Sequence, residues 1–180
     1  MWNLTVENTP IGNLYNIWFT STFNNDARLI RYAQEHHPDL VVELRATLPE
    51  GTKFNTLTTH HAITPTMVSH SNGNNVLGLE RHVVNDTVGL LWLIWVEVDT
   101  AENEAIAIPI VRAWHDKINA YGTELGINWD WEYLDYAHGL QDPISKYGKE
   151  NIMKLREASK KYDPNGLFQK SKMSGFKIPF

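Results

Sequence analysis

The chain has 180 residues, of which 42% are apolar, and a formal net charge of −5. That length predicts one domain with a core of its own, and the acidic balance excludes a general nucleic-acid footprint. With no cysteine there can be no disulfide, no thiolate metal site and no cysteine nucleophile. Seven Trp, seven Tyr and six Phe suit a packed core or a flat organic ligand equally well.

Leu14 to Phe23 is rich in β-branched and aromatic residues and predicts a first strand. Asn24, Asn25 and Asp26 then offer a helix cap. Leu29, Ile30, Ala33, Leu40, Val41, Leu44 and Leu48 recur at helical spacing. Pro38 falls inside that run and predicts a kink or two short helices. Phe54 to Ile63 is a second, threonine-rich strand, followed by a polar loop from Ser69 to Asn75.

Val88 to Val98 is nearly all apolar and predicts a central strand. At 11 residues it is too short to span a bilayer. Asp99-Thr100 caps the next helix, with Ala105, Ile108, Val111, Trp114 and Ile118 as its buried stripe and Pro109 inside it. That helix is expected to close at Tyr121-Gly122. Trp129 to Tyr136 alternates and is expected as a fourth strand. A last helix runs from about Lys149 to Tyr162, with Ile152, Leu155, Ala158 and Tyr162 inward, and Asp163-Pro164-Asn165-Gly166 stops it. The order predicts an α+β layer fold, an antiparallel sheet covered by helices on one face. The other face, bearing His61 and aromatic residues, is then open to a partner or cofactor.

The chemistry-bearing motifs are few. Among the eight histidines, His36-His37 and His60-His61 are adjacent pairs. Strand neighbours point to opposite faces, so His60 and His61 do not share an ion, and no metal site is expected. There is no nucleotide-binding glycine fingerprint and no nucleophile elbow; Gly73 to Gly78 has no basic residue inside it. The lysines and Arg156 of the last helix are interleaved with Glu150 and Glu157, the pattern of a solvated face. The amino terminus shows no basic patch before an apolar run, so a cytoplasmic chain is expected. The sequons at Asn3 and Asn85 are then chance matches.

One stretch is more specific. It runs Tyr133-Leu134-Asp135-Tyr136-Ala137, Gln141-Asp142-Pro143 and Tyr147-Gly148-Lys149-Glu150-Asn151. It continues through Leu155-Arg156, then Lys161-Tyr162-Asp163-Pro164-Asn165-Gly166-Leu167-Phe168-Gln169, to Gly175-Phe176. This resembles the carboxy-terminal signature, about residues 131–180, of the berberine-bridge-like FAD-linked oxidoreductases, the fungal ones especially. Ile63-Thr64-Pro65, Gly73-Asn74, Leu77-Gly78-Leu79 and Trp18-Phe19-Thr20 extend the resemblance over nearly the whole chain.

The resemblance implies residues 1–180 are a single substrate-type domain, as in the vanillyl-alcohol-oxidase-type flavoproteins, without the FAD-binding domain. It implies a truncated or split FAD-linked oxidoreductase of fungal secondary metabolism acting on a small organic substrate. The family chemistry is proton removal by a base with hydride transfer to flavin. The isolated chain is expected to hold no cofactor. FAD would require a separate FAD-binding chain, and the open sheet face would receive that chain or a second copy.

Three positions carry the implied site. His61 stands where fungal relatives commonly have Gln and others an acidic base. Tyr133 stands where relatives place a tyrosine near substrate. Asp135 replaces an Asn near the flavin, and a carboxylate there disfavours reduced flavin. Strand parity puts Asp135 on the same face as Tyr133, able to orient the His61 ring, and Tyr136 on the other. The alternatives stay open: a cofactor-free isomerase or cyclase using His61, Tyr133 and Asp135 for acid–base work, or a non-catalytic partner subunit in which they are sheet-packing residues.

Overall fold

The structure is a computed structural model that describes residues 14–71, 73 and 75–179. The first sequon and Asn74 lie outside the described residues.

Three strands form one sheet: β1 (Tyr15–Asn24), β2 (Phe54–Ile63) and β3 (Gly89–Val98). Their order is β1-β3-β2, and β3 is antiparallel to both neighbours. The apolar run of β3 is thus central, as its composition requires. β1 and β2 run parallel to each other, and α1 (Ala27–Thr47) connects them while leaving a gap that β3 fills. Asp26 caps α1 by accepting from the Arg28 N–H at 2.8 Å, and Thr100 caps α3 (Ala101–Glu124) by accepting from the Asn103 N–H at 3.1 Å.

α1 and α3 pack on one face. Ile17, Phe19 and Phe23 of β1 and Leu90, Trp92, Ile94, Val96 and Val98 of β3 meet Leu29, Ala33, Leu40 and Leu44 of α1 and Ala107, Ile110, Val111, Trp114 and Ile118 of α3. Pro38 does not divide α1, which continues through it as one helix of 21 residues. Packing holds the helix across the missing donor: Leu40 and Leu44, beyond the proline, are fully buried. The Trp114 indole N–H also donates to the His36 carbonyl at 3.0 Å, tying α3 to α1 at that point. In α3, Ala105 is exposed and Ile108 half-buried, and Ala107 and Ile110 take the expected places. The helix passes Gly122 and ends at Glu124.

The predicted fourth strand does not form. Residues 127–141 run along the open edge of β1 as irregular chain with one helical turn, Leu134–Tyr136. The Trp129 N–H donates to the Thr22 carbonyl and the Asn24 N–H to the Ile127 carbonyl, each at 2.8 Å. The Gln141 amide then clasps Thr20, accepting from its N–H and donating to its carbonyl. The alternating aromatics are real burial signals, since Trp129 and Trp131 are buried. Asn128, Asp130 and Asp135 among them are poor strand formers, and they prevent a ladder.

Contrary to expectation, the second sheet face is not wholly open. At the Ile63 and Gly89 end it is covered by a smaller cluster of Ile63, Val68, Leu91, Trp129, Trp131 and Tyr147. Gly89 permits this, because a Cβ there would collide with the Trp129 ring. α2 (Pro65–Ser69) and the Leu79–Arg81 turn flank that end. The other half of the face, with Trp18, Leu57 and Trp95, has no such cover among the described residues, and Leu57 is 44% exposed.

α4 (Lys149–Tyr162) has the predicted bounds, and α5 (Leu167–Lys170) follows its stop. No residue of α4 is buried: Ile152 and Leu155 are half-buried, and Ala158 and Tyr162, expected inward, are exposed. Among the described residues, no helix is long and apolar enough to cross a membrane.

Candidate active site

His60 and His61 point to opposite faces, as alternation requires. His60 pairs with Trp92 on the helix side, while His61 pairs with Leu91 on the other. Burial keeps the His60 ring below the ordinary histidine pKa. His61 is exposed and lines a pocket of about 390 Å³ at the covered end of the second face. Tyr133 and Tyr136, from the segment along β1, line the same pocket. The structure therefore brings His61 and Tyr133 together.

The helical turn at Leu134–Tyr136 overturns the parity argument. It swings Tyr136 to the side of Tyr133, with ring centroids 5.0 Å apart, edge to face. Tyr136 also lies 5.8 Å from the His61 ring. Trp131, Tyr133, Tyr136 and His61 thus form one aromatic row, which Trp18 extends from Tyr136 at 5.4 Å. Tyr136 is a site residue that strand reasoning misplaced; the acidic residues around it were the available signal.

Asp135 is placed differently from expectation. It is exposed and meets the Tyr133 phenol rather than the His61 ring; among the described residues no hydrogen bond joins it to His61. Hydrogen bonding to it, then burial, then its charge raise the Tyr133 pKa. Tyr133 is thereby held as a neutral phenol, a proton donor beside an imidazole that can accept one.

The rest of the lining is aliphatic except for Ser71, Asn75 and Glu80. The Ser71 hydroxyl donates to Glu80 Oε1 at 2.6 Å. No sequence motif marked these residues, because α2 and the Leu79–Arg81 turn bring them in from an otherwise polar loop.

Two other clusters have catalytic or binding overtones. Ser21 Oγ lies 2.9 Å from His115 Nε2, and His115 Nδ1 lies 3.2 Å from Asp116, the spacing of a hydrolase triad. Ser21 Oγ is equally close to the Thr20 carbonyl, at 2.9 Å, and Ser21 is 94% buried. This row ties α3 to β1 rather than presenting a nucleophile. Cations do reach the Gly73–Gly78 loop, from outside it: Arg81, Lys149 and Lys154 line a neighbouring concavity. Among the described residues no group of three or more His, Asp or Glu is placed to hold a metal.

The pocket of His61 and Tyr133 does not fit a whole FAD. Glu80 is its one permanently charged lining side chain among the described residues, and no cation faces in to receive a pyrophosphate.

No family model and no solved structure matches the chain. Curated proteins do. The chain is 33% identical over 180 residues to the FAD-dependent monooxygenase drtC of Aspergillus calidoustus, covering 98% of this chain and 33% of the relative. It is 31% identical over 181 residues to the FAD-dependent monooxygenase sdcF of Emericella nidulans, covering 98% of this chain and 36% of the relative. With the FAD-dependent monooxygenase FUP4 of Fusarium proliferatum the identity is 28% over 165 residues, 88% of this chain and 31% of the relative. The chain spans about a third of the length of the curated relatives it matches. Its similarity is to one portion of proteins named as FAD-dependent monooxygenases.

Proposed function

We propose that this chain forms the substrate-binding portion of a FAD-linked oxidoreductase of the berberine-bridge-like type, acting on a small organic molecule in fungal secondary metabolism. The observation that carries the reading is the meeting of His61 and Tyr133, from distant parts of the chain, in one aromatic pocket. Its volume of about 390 Å³ is within the ~300–1,000 Å³ of small-molecule sites. In this reading His61 accepts a proton from the bound molecule and Tyr133 donates a hydrogen bond or proton to it. Tyr136 and Trp131 hold its ring system flat. FAD belongs to a portion outside this chain. The relatives are about three times as long, and the half-open sheet face with Trp18, Leu57 and Trp95 is where that portion docks.

Two measurements test this. Titrated with FAD, the isolated chain shows no stoichiometric binding, whereas a chain extended by the remaining two thirds of such a relative does. In that extended protein His61→Gln lowers the rate of substrate oxidation by about 10²- to 10⁴-fold while the circular dichroism is unchanged. Tight FAD binding by the isolated chain, or an undiminished rate in the His61 variant, overturns the proposal.

A further inference from the structure

The lining of the same pocket has a sign. Glu80 is its one permanently charged side chain among the described residues. The nearest chain neighbour that could cancel this charge, Arg81, is turned elsewhere. Its guanidinium donates to the Gly78 and Lys146 carbonyls, and with Lys149 and Lys154 it lines the adjoining concavity, which Glu80 borders as well, but not this pocket. Asp135 adds a second carboxylate just outside, against Tyr133. The aromatic faces of Trp131, Tyr133 and Tyr136 attract cations and repel anions in the same sense.

Glu80 is also positioned. Ser71, two residues beyond the end of α2, donates to its Oε1 at 2.6 Å and orients the exposed carboxylate at the pocket rim. His61 and Tyr133 come from other elements, β2 and the segment along β1. A ligand held by its ring system among the aromatics can thus be read by Glu80 while His61 and Tyr133 address it from different chain segments.

We propose that the Ser71–Glu80 pair is the specificity determinant of this pocket, selecting flat ring-bearing molecules that present a hydrogen-bond donor or a positive charge and rejecting carboxylates and phosphates. The inference rests on the reading of this pocket as the substrate site. It goes beyond that reading by assigning Glu80 and Ser71, which no motif marks, and by excluding acidic ligands. A charge-assisted hydrogen bond to a carboxylate of this kind separates donor from non-donor ligands by about tenfold.

The test uses three probes of one shape, naphthylmethylammonium, naphthol and naphthoate, followed by calorimetry at neutral pH. The ammonium and the phenol are expected to bind about tenfold or more tightly than naphthoate. Glu80→Gln should erase that order, and Ser71→Ala should weaken it in part. Met67→Trp, an enlargement at an exposed lining position, should abolish binding of all three. If naphthoate binds as well as the others, or if Glu80→Gln leaves the order intact, the specificity assignment is wrong while the pocket stands. If no probe binds, or if binding survives Met67→Trp, the pocket is not a ligand site and both readings fall.

Discussion

The two faces of the sheet solve opposite problems with the same three strands. On the helix side every inward residue of β3 is buried, and Trp92 and Ile94 are fully so. Two long helices, each capped by a side chain, seal that face, and its content is almost wholly aliphatic and aromatic. On the other side the cover is short pieces: one turn of α2, a turn at Leu79–Arg81 and an irregular segment along β1. Short pieces leave gaps, and one gap of about 390 Å³ holds an imidazole, two phenols and a carboxylate. The sealed face gives stability; the patched face gives chemistry, at the cost of exposed apolar surface around Leu57.

The sharpest way to break this comparison is to remove equivalent bulk from each face. Ile94→Ala on the sealed face should cost about 2–5 kcal/mol, a large part of the ~5–15 kcal/mol that holds a domain together. Leu57→Ala on the open half should cost only about 1 kcal/mol, because nearly half of that residue is already in solvent. Denaturant midpoints at constant slope measure both. Equal losses would mean that the open half is covered in solution, by a second copy or another chain.

Next in size is a change aimed at the patched face alone. A methyl group at Gly89 would run into the Trp129 ring, which also donates its indole N–H to Asn24 at 2.6 Å. Gly89→Ala should destabilise by about 1–3 kcal/mol through overpacking. It should also perturb ligand binding in the pocket, since Trp129 packs in the same cluster as Trp131. A stable Gly89→Ala protein with unchanged near-ultraviolet circular dichroism would show that Trp129 is not fixed by that contact.

The sealed face was the legible one. Its strands and helices follow from hydrophobic periodicity, and β2 and α4 have the predicted bounds, because a long apolar pattern admits few packings. Pro38 misled only in part, since a proline's local cost was outweighed by the tertiary burial of Leu40 and Leu44. The patched face was less legible. Trp129, Trp131, Tyr133 and their neighbours alternate like a strand, but their backbone is satisfied by single bonds to the β1 edge and a tight turn. Alternation reports burial, and it does not report which backbone partner is available. Hence His61 and Tyr133 could be named from motif resemblance, whereas Tyr136 was assigned to the wrong side. Glu80 and Ser71 carried no signal at all, because their proximity is a product of chain folding between α2 and β3.

Acid should find the sealed face first. His115 is 95% buried against β1, and desolvation keeps its ring below the ordinary histidine pKa, although Asp116 pulls the other way. His60 and His37, on the same side, are lowered by burial as well. A neutral ring in the fold and an ordinary one in the unfolded chain mean that the unfolded state takes up more protons. Stability is therefore complete above the unfolded pKa near 6.5 and is lost as pH falls from there through the folded values. The slope for each histidine cannot exceed about 1.4 kcal/mol per pH unit. Chemical denaturation between pH 8 and 5 should show this limb, and His115→Gln should flatten it. An acid limb identical in that variant would place the proton uptake elsewhere.

The smallest effect belongs to the patched face and isolates its chemistry from its stability. Asp135 is exposed, so Asp135→Asn should change the denaturant midpoint by no more than about 0.5 kcal/mol. Its consequence should appear at Tyr133. In the parent protein the carboxylate accepts the phenol's hydrogen bond, and its charge resists a second negative charge beside it, so the phenol ionises above the ordinary tyrosine value. An amide in that place still accepts the hydrogen bond but carries no charge. The Tyr133 pKa should then fall only by the part that the charge contributes, remaining above the ordinary tyrosine value. Ultraviolet titration of the variant against Tyr133→Phe, which removes the signal, assigns the shift to this one residue among seven tyrosines. If Asp135→Asn leaves the Tyr133 titration where it was, the neutral phenol is not kept by the Asp135 charge. The hydrogen bond at that position and burial among Trp131 and Tyr136 would then carry the whole shift.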